Sequence, residues 1–292
     1  MKLVNPITKY VYEVQGPVYE NRVMGIWCGN AVDKKYGHCF VKIIDYGSFT
    51  NAQQRKEALV RAKAEADCMR LVSQCTTQTP DIYDDWDDRA EKKYVIIMQR
   101  MGGKTLRQWM DEHSVEKLLG KDIFLRSRIV LQICTIMRDI QKKYPVIVHR
   151  DLKPENIFIQ LNKERHWEIS IIDFGCANLN YVRNVGTVAY QAPEQTGIKD
   201  CPVKISVKTD IFAIGQIYYE LLTGHVPAIG TEYRRRATEY QWAAYPELPE
   251  KLMQSPGVER LNSLLIQMTA FRAEERPVYD KIISELNHMK FR

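Results

Sequence analysis

The sequence predicts an α+β chain of two lobes: a β-rich first lobe over 1–101 with one helix, and a mainly helical second lobe over 102–292. Three observations carry this expectation. Apolar and β-branched residues flank polar gaps in the first hundred residues. One stretch rich in alanine, lysine, arginine and glutamate interrupts them over 52–73. Beyond Gly102-Gly103 the apolar residues recur at helical spacing, which puts the lobe boundary at those glycines. Together the two lobes form one domain, and a short connector between them implies a cleft.

Taken in order, Arg22 to Cys28 and His38 to Asp45 read as strands of a hairpin around Asp33-Lys34-Lys35-Tyr36-Gly37. From Ala52 to Ser73 the residues Leu59, Ala62, Ala66, Met69 and Leu71 outline the apolar face of a helix packed on the sheet. Asp81-Ile82-Tyr83-Asp84-Asp85-Trp86-Asp87-Asp88 lacks the glycine and closing glutamate of a calcium loop and reads as an acidic hairpin tip. Segments 105–112, 123–143, 208–222 and 258–270 read as helices. No internal repeat or low-complexity stretch is present.

Composition narrows the function classes. Hydrophobic residues at 45% and charged residues at 27% match an ordinary globular protein that buries a sizeable core. The start, Met1-Lys2-Leu3-Val4-Asn5-Pro6, has no apolar run behind its lysine, and no segment approaches the ~20 apolar residues of a membrane span. A cytoplasmic protein without a membrane partner is expected. The seven cysteines, Cys28, Cys39, Cys68, Cys75, Cys134, Cys176 and Cys201, contain no C-x-x-C pair, which argues against a disulfide framework or a zinc site. The net charge of +6 comes from 42 basic residues interspersed with 36 acidic ones, so nucleic acid is not an expected partner. Tyr233-Arg234-Arg235-Arg236, the one compact basic cluster, reads as a solvated helix start or loop, with a docking surface for acidic partners as the alternative.

Chemistry concentrates in His149-Arg150-Asp151-Leu152-Lys153-Pro154-Glu155-Asn156, which puts a carboxylate, a lysine and an amide into one loop. Seventeen positions after Asn156 comes Asp173-Phe174-Gly175, behind the strand-like Ile169-Ser170-Ile171-Ile172. Such groups hold metal ions against phosphate oxygens and neutralise developing charge. The run resembles the catalytic loop of the eukaryotic-type protein kinase family, serine/threonine branch, and the tripeptide resembles that family's magnesium-binding turn. The resemblance implies the two-lobed kinase fold. It also implies that Asp151 orients the acceptor hydroxyl, Lys153 stabilises the transferring phosphoryl group, and Asn156 and Asp173 hold Mg2+.

Further segments extend the likeness. Gly186-Thr187-Val188-Ala189-Tyr190-Gln191-Ala192-Pro193-Glu194 resembles the segment that receives the substrate, which implies a protein acceptor. By the same resemblance Thr187 hydrogen-bonds the catalytic aspartate and lysine, Glu194 pairs with Arg276 as a buried ion pair, and Asp210 caps the catalytic loop. His149 and Arg150 give structural support. In the first lobe Lys42, within Phe40-Val41-Lys42-Ile43-Ile44, matches the lysine on the α- and β-phosphates of ATP, and Glu65 is its partner in preference to Glu57. Gln99-Arg100-Met101-Gly102-Gly103 resembles the hinge, so that the carbonyl of Gln99 and the N–H of Met101 pair with adenine and Met98 is the gatekeeper.

Departures are informative too. The phosphate-covering loop aligns best as Gly16-Pro17-Val18-Tyr19-Glu20-Asn21-Arg22-Val23, keeping Gly16 and Val23 but not the other glycines that let backbone N–H groups approach phosphates. Phe40 stands where the family has a small adenine-roofing residue, and Phe158 matches the floor; Phe40 either contacts the base or turns into the lobe interior. Sixteen residues separate Gly175 from Ala192, with Tyr181 and Thr187 but no serine, so control by phosphorylation there is not expected. Constitutive activity, or control by a partner or self-association at the Glu65 helix, remains. Cys176 is either reachable by electrophiles or a spectator thiol. The expected function is transfer of the γ-phosphoryl group of Mg·ATP to a protein hydroxyl; the alternative is a pseudokinase, a nucleotide-regulated binding or scaffold module.

Overall fold

The computed structural model describes residues 2–290 except 117, 176, 178–185, 197–203, 228–247 and 255–256. Cys176, Tyr181, Cys201 and the basic cluster at 233–236 therefore lie outside the described residues. Two compact units are present, Met1–Met101 with Asp173–Asn178, and Gly102–Ile172 with Leu179–Arg292. The class is α+β, as expected.

The first unit is a six-stranded antiparallel sheet in the order β1-β2-β3-β4-β6-β5, with strands Lys2–Val4, Val11–Asn21, Ile26–Asp33, Gly37–Asp45, Ile82–Asp88 and Lys93–Gln99 numbered β1 to β6. Alternation along the strands sorts side chains onto two faces. Tyr12, Val14, Ala31, Cys39, Val41, Ile43, Trp86, Val95 and Ile97 pack as one core on one face. Lys42 and Phe40 therefore point to the other, so of the two expectations for Phe40 the turn into this core is not realised. Helix α1, Ala52–Ser73, contacts β4, β5 and β6. Asn51 starts it by accepting from the N–H of Gln53 at 2.7 Å, an N-cap that satisfies one otherwise orphaned donor. Its buried residues are Ala62, Glu65, Ala66, Cys68, Met69 and Val72, whereas the expected Leu71 is exposed. At 100° per residue Val72 continues the stripe of Ala62, Ala66 and Met69, and Leu71 falls off it.

Two further expectations are corrected. The acidic run is strand β5 rather than a hairpin tip: Trp86 joins the core, while Asp84 accepts from Asn5 and Tyr12, Asp85 from Arg70 and Tyr94, and Asp87 from Tyr46. Burying one tryptophan and partnering each carboxylate outweighs the low strand preference of aspartate. The first hairpin strand begins at Ile26, not Arg22, because 22–25 is the turn from β2.

The second unit carries a three-stranded antiparallel sheet, β7 Lys104–Thr105, β8 Ile157–Leu161 and β9 Trp167–Ile171, in that order. Its described helices are α2 Leu106–Glu112, α3 Gly120–Lys143, α4 Pro193–Thr196, α5 Val207–Thr223, α6 Glu250–Met253, α7 Val258–Met268 and α8 Tyr279–His288. All four expected helices are found, three of their eight ends where expected and the others shifted by one to three residues because caps decide them. Thr105 and Gln108 close a capping box that starts α2, and Ser206 with Thr209 does the same for α5. Gly224, at φ 78°, ends α5 in the left-handed conformation. Helix α5 is buried from Thr209 to Leu222 and packs on α3 and α7, which makes it the axis on which the loops at 149–156 and 186–194 are hung. No helix among the described residues is long and apolar enough to cross a membrane.

Candidate active site

In the first unit, Lys42 on β4 reaches Glu65 on α1, with Nζ 2.5 Å from Oε1, and Asp173, with Nζ 3.0 Å from Oδ1. Glu57 is exposed and accepts instead from Gln53. Burial works against the Lys42 ammonium, but the Asp173 and Glu65 carboxylates outweigh it and hold its pKa well above that of an ordinary lysine. Asp173 has φ 65°, a left-handed conformation that costs a non-glycine residue on the order of 1–3 kcal/mol, so the turn is held by its surroundings. Gly175 is part of that hold: a Cβ there would stand 2.9 Å from Glu65 Oε2 and 3.1 Å from Asp173 Oδ1. Cys28, directly across from Lys42 on β3, lies in the field of the same three charges, and burial pushes its thiol up to about 12.

Phe40, half-buried on the Lys42 face, lies opposite buried Met98 and beside Asn30. Gln99 ends β6, its N–H donating to the carbonyl of Asp81 at 2.8 Å, and Met101 follows two residues on. Gly16 and Val23 do not form the expected loop. Gly16 pairs with Asn30 inside β2, which runs on to Asn21 through two bulges, and Val23 sits in the following turn, 89% exposed. The glycine the hairpin needs is Gly25, at φ 64°, where a Cβ would come within 2.5 Å of the Asp45 carbonyl.

The second unit assembles the loop at 149–156. Asp210, wholly buried near the start of α5, accepts from the N–H groups of His149 at 2.8 Å and Arg150 at 2.9 Å. Burial raises its pKa above the ordinary carboxylate value, against the opposing pull of His149, Arg150 and these two N–H groups. His149 donates from Nε2 to the Ile172 carbonyl at 3.0 Å and accepts at Nδ1 from the N–H of Asp151 at 3.3 Å. Arg150, at φ 69°, puts a left-handed backbone residue directly before Asp151.

Asp151 is then fixed from several directions. Thr187 donates to Oδ1 from its N–H at 2.7 Å and its hydroxyl at 2.9 Å. Lys153 donates to Oδ2 at 3.0 Å and to Thr187 Oγ1 at 2.9 Å. Asn156 donates from Nδ2 to the Asp151 carbonyl at 2.9 Å, which leaves its amide oxygen as the atom able to take a cation. Phe158 lies half-buried on β8 opposite Thr105 and Ser170. Deeper in the unit Glu194 and Arg276 form a two-pronged ion pair at 2.7 and 2.9 Å, with Thr209 donating to the same carboxylate. One residue the sequence reading passed over joins this loop to its neighbours: Arg107, bonded to Glu155, Tyr190 and Glu220.

The Asp173 carboxylate in the first unit and the Asn156 amide oxygen in the second each offer a metal an oxygen donor. No group of three or more His, Cys, Asp or Glu residues suited to an all-protein metal cage occurs among the described residues. Oxygen donors of this kind, each taken within its own unit, suit Mg2+, which keeps several waters and binds through one or two side chains plus phosphate oxygens.

The chain is 30% identical over 193 residues to a Dictyostelium discoideum protein named probable serine/threonine-protein kinase nek2, covering 64% of this chain and 43% of that one. It is 28% identical over 187 residues to probable serine/threonine-protein kinase PknB of Lactococcus lactis, covering 62% and 27%. It is 26% identical over 199 residues to probable serine/threonine-protein kinase PBL24 of Arabidopsis thaliana, covering 61% and 49%. The matched part thus spans less than half of each relative. The family's sequence model, described as protein kinase domain, matches residues 34–289, and by that match the chain belongs to the protein kinase family.

Proposed function

We propose that the chain is an active serine/threonine protein kinase that transfers the γ-phosphoryl group of Mg·ATP to a protein hydroxyl. The observation that carries this reading is the fixing of Asp151 by Thr187 and Lys153, since phosphoryl transfer depends on positioning and charge rather than on covalent chemistry. In this reading Asp151 orients the acceptor hydroxyl and takes its proton, and Lys153 offsets charge on the phosphoryl oxygens. Lys42, held by Glu65, grips the phosphates. Met98, Gln99, Met101, Phe40 and Phe158 contact adenine. Asp173 and Asn156 would hold Mg2+, which supplies charge neutralisation on the phosphate oxygens. Control through α1, by a partner or by self-association, belongs to the same reading because moving Glu65 would take away the counter-charge of Lys42. The cytoplasm, with its ATP and reduced thiols, is the compartment assigned.

The departure at Gly16–Val23 favours a second reading, a nucleotide-regulated binding module without turnover. One pair of measurements separates the two. Mg·ATP is expected to raise the melting temperature, by linkage worth ~2.7 kcal/mol at a hundredfold excess over Kd, and the protein is expected to place labelled phosphate on serine or threonine. Lys42→Met should abolish the thermal shift and Asp173→Asn the transfer. A thermal shift without any transfer to itself or to generic acceptors would leave only the binding module.

A further inference from the structure

Arg107 occupies the second position of α2, where a cation faces the positive end of the helix dipole. Its guanidinium is held there by three groups from three other parts of the second unit. Nε donates to Glu155 Oε1 at 2.9 Å, Nη1 to Glu220 Oε1 at 2.7 Å, and Nη2 to the Tyr190 hydroxyl at 2.7 Å. Tyr190 in turn donates to Glu220 Oε2 at 2.6 Å, which closes the ring of bonds. Glu220 and Tyr190 are each 4% exposed, so this carboxylate and phenol have no solvent to fall back on. Burial disfavours the Arg107 cation, but the bonds to Glu220 and Glu155 outweigh it and raise its pKa.

Two of these contacts lead to Asp151 from opposite sides. Glu155 belongs to the turn Pro154–Asn156, whose Asn156 donates to the carbonyl of Asp151. Tyr190 ends the turn Val188–Tyr190, closed by its N–H onto the carbonyl of Thr187, and Thr187 donates twice to Asp151 Oδ1. We propose that Arg107 is a positioning residue, a fixed internal cation that clamps the 154–156 and 187–190 turns on either side of Asp151. A planar guanidinium can serve three acceptors with three different nitrogens at fixed angles; a lysine ammonium cannot hold that geometry. The clamp is built into the chain and requires no added phosphate to order the 187–190 turn. Its kinetic consequence rests on the phosphoryl-transfer reading, but its structural consequence does not.

The test uses the full chain and two readouts. In Arg107→Ala, hydrogen exchange read by mass spectrometry is expected to speed up at the amides of Asn156, Thr187 and Tyr190 and stay at the wild-type rate around Lys42. In phosphate transfer, kcat should fall about 10-fold or more while KM for ATP stays within about 2-fold, since a small misplacement of a reacting group is costly to rate. Arg107→Lys should resemble Arg107→Ala, and millimolar guanidinium ion should restore part of the kcat of Arg107→Ala but none in Asp151→Asn. Wild-type exchange on both turns, or wild-type kcat, in Arg107→Ala overturns the proposal. If that variant does not fold, Tyr190→Phe and Glu155→Gln decide: wild-type exchange in both overturns it, and faster exchange on the matching turn upholds it. A wild-type chain that transfers no phosphate would remove the kinase reading, and the exchange pattern would still decide the clamp.

Discussion

Arg276 lays its guanidinium against both carboxylate oxygens of Glu194, 2.7 and 2.9 Å away, with 1% and 2% of the two residues exposed. The same arginine donates to the carbonyls of Lys208, Ala270 and Phe271 and lies 5.0 Å from the centre of the Phe212 ring. Removing either partner leaves the other charge buried without its counter-ion. Glu194→Ala and Arg276→Ala should each cost ~3–5 kcal/mol in urea denaturation, and the double variant less than the sum. A cost under ~1 kcal/mol for both single variants would show that water reaches the site and that the pair is not structural.

Thr187 bridges Asp151 and Lys153 through one hydroxyl. Thr187→Ala should lower kcat about 10-fold or more, yet change stability by only ~1 kcal/mol, because a part-buried hydrogen bond contributes little net free energy. Thr187→Ser keeps the hydroxyl and should keep most of the rate. Steady-state kinetics beside a melting curve checks both halves; equal kcat in the alanine and serine variants contradicts the role given to the hydroxyl.

Gly186 stands at φ 101°, and a Cβ on it would meet the Arg150 carbonyl at 2.4 Å. Gly186→Ala should therefore push the turn away from the 149–156 loop and depress kcat at least as far as Thr187→Ala does. The conformational cost alone is ~1 kcal/mol or more, and the backbone clash adds to it. Wild-type kinetics in this variant would mean that the close approach has no bearing on Asp151.

Much of this architecture was legible before any coordinates. Helix α1 is found at the predicted ends, Ala52–Ser73, because its alanine, lysine, arginine and glutamate content favours a helix, and Glu65 stands on the same stripe as Ala62 and Met69. The loop at 149–156 was legible because its chemistry lies within eight consecutive residues. What failed depended on distant partners. Strand β5 looked like a hairpin tip because the groups that satisfy Asp84 and Asp85 are Asn5, Tyr12, Arg70 and Tyr94. Arg107 carried no local signal, because its partners are 48, 83 and 113 positions away. Gly16 and Val23 were misplaced because the glycine that lets the hairpin reverse is Gly25, at a spacing the expected pattern did not contain.

Burial raises four thiols above the ordinary value of 9.0: Cys39 to about 11, Cys28 and Cys68 to about 12, and Cys134 higher still. The unfolded chain would ionise first, so the part these thiols play in stability is intact below pH ~9 and declines as pH rises through the folded values. Alkylation by iodoacetamide at pH 8, mapped by mass spectrometry, should mark half-buried Cys75 well before Cys28, Cys39, Cys68 and Cys134, which react only once the fold opens. Rapid labelling of Cys28 in folded protein would contradict the packing around Lys42.

The most direct test of the whole account is transfer of labelled γ-phosphate from Mg·ATP to protein serine or threonine by wild type and by Asp151→Asn, compared at equal melting temperature. The account predicts turnover by the wild type and a loss of at least ~100-fold in the variant, the scale of a positioned acid–base group. Transfer by Asp151→Asn at the wild-type rate would contradict it.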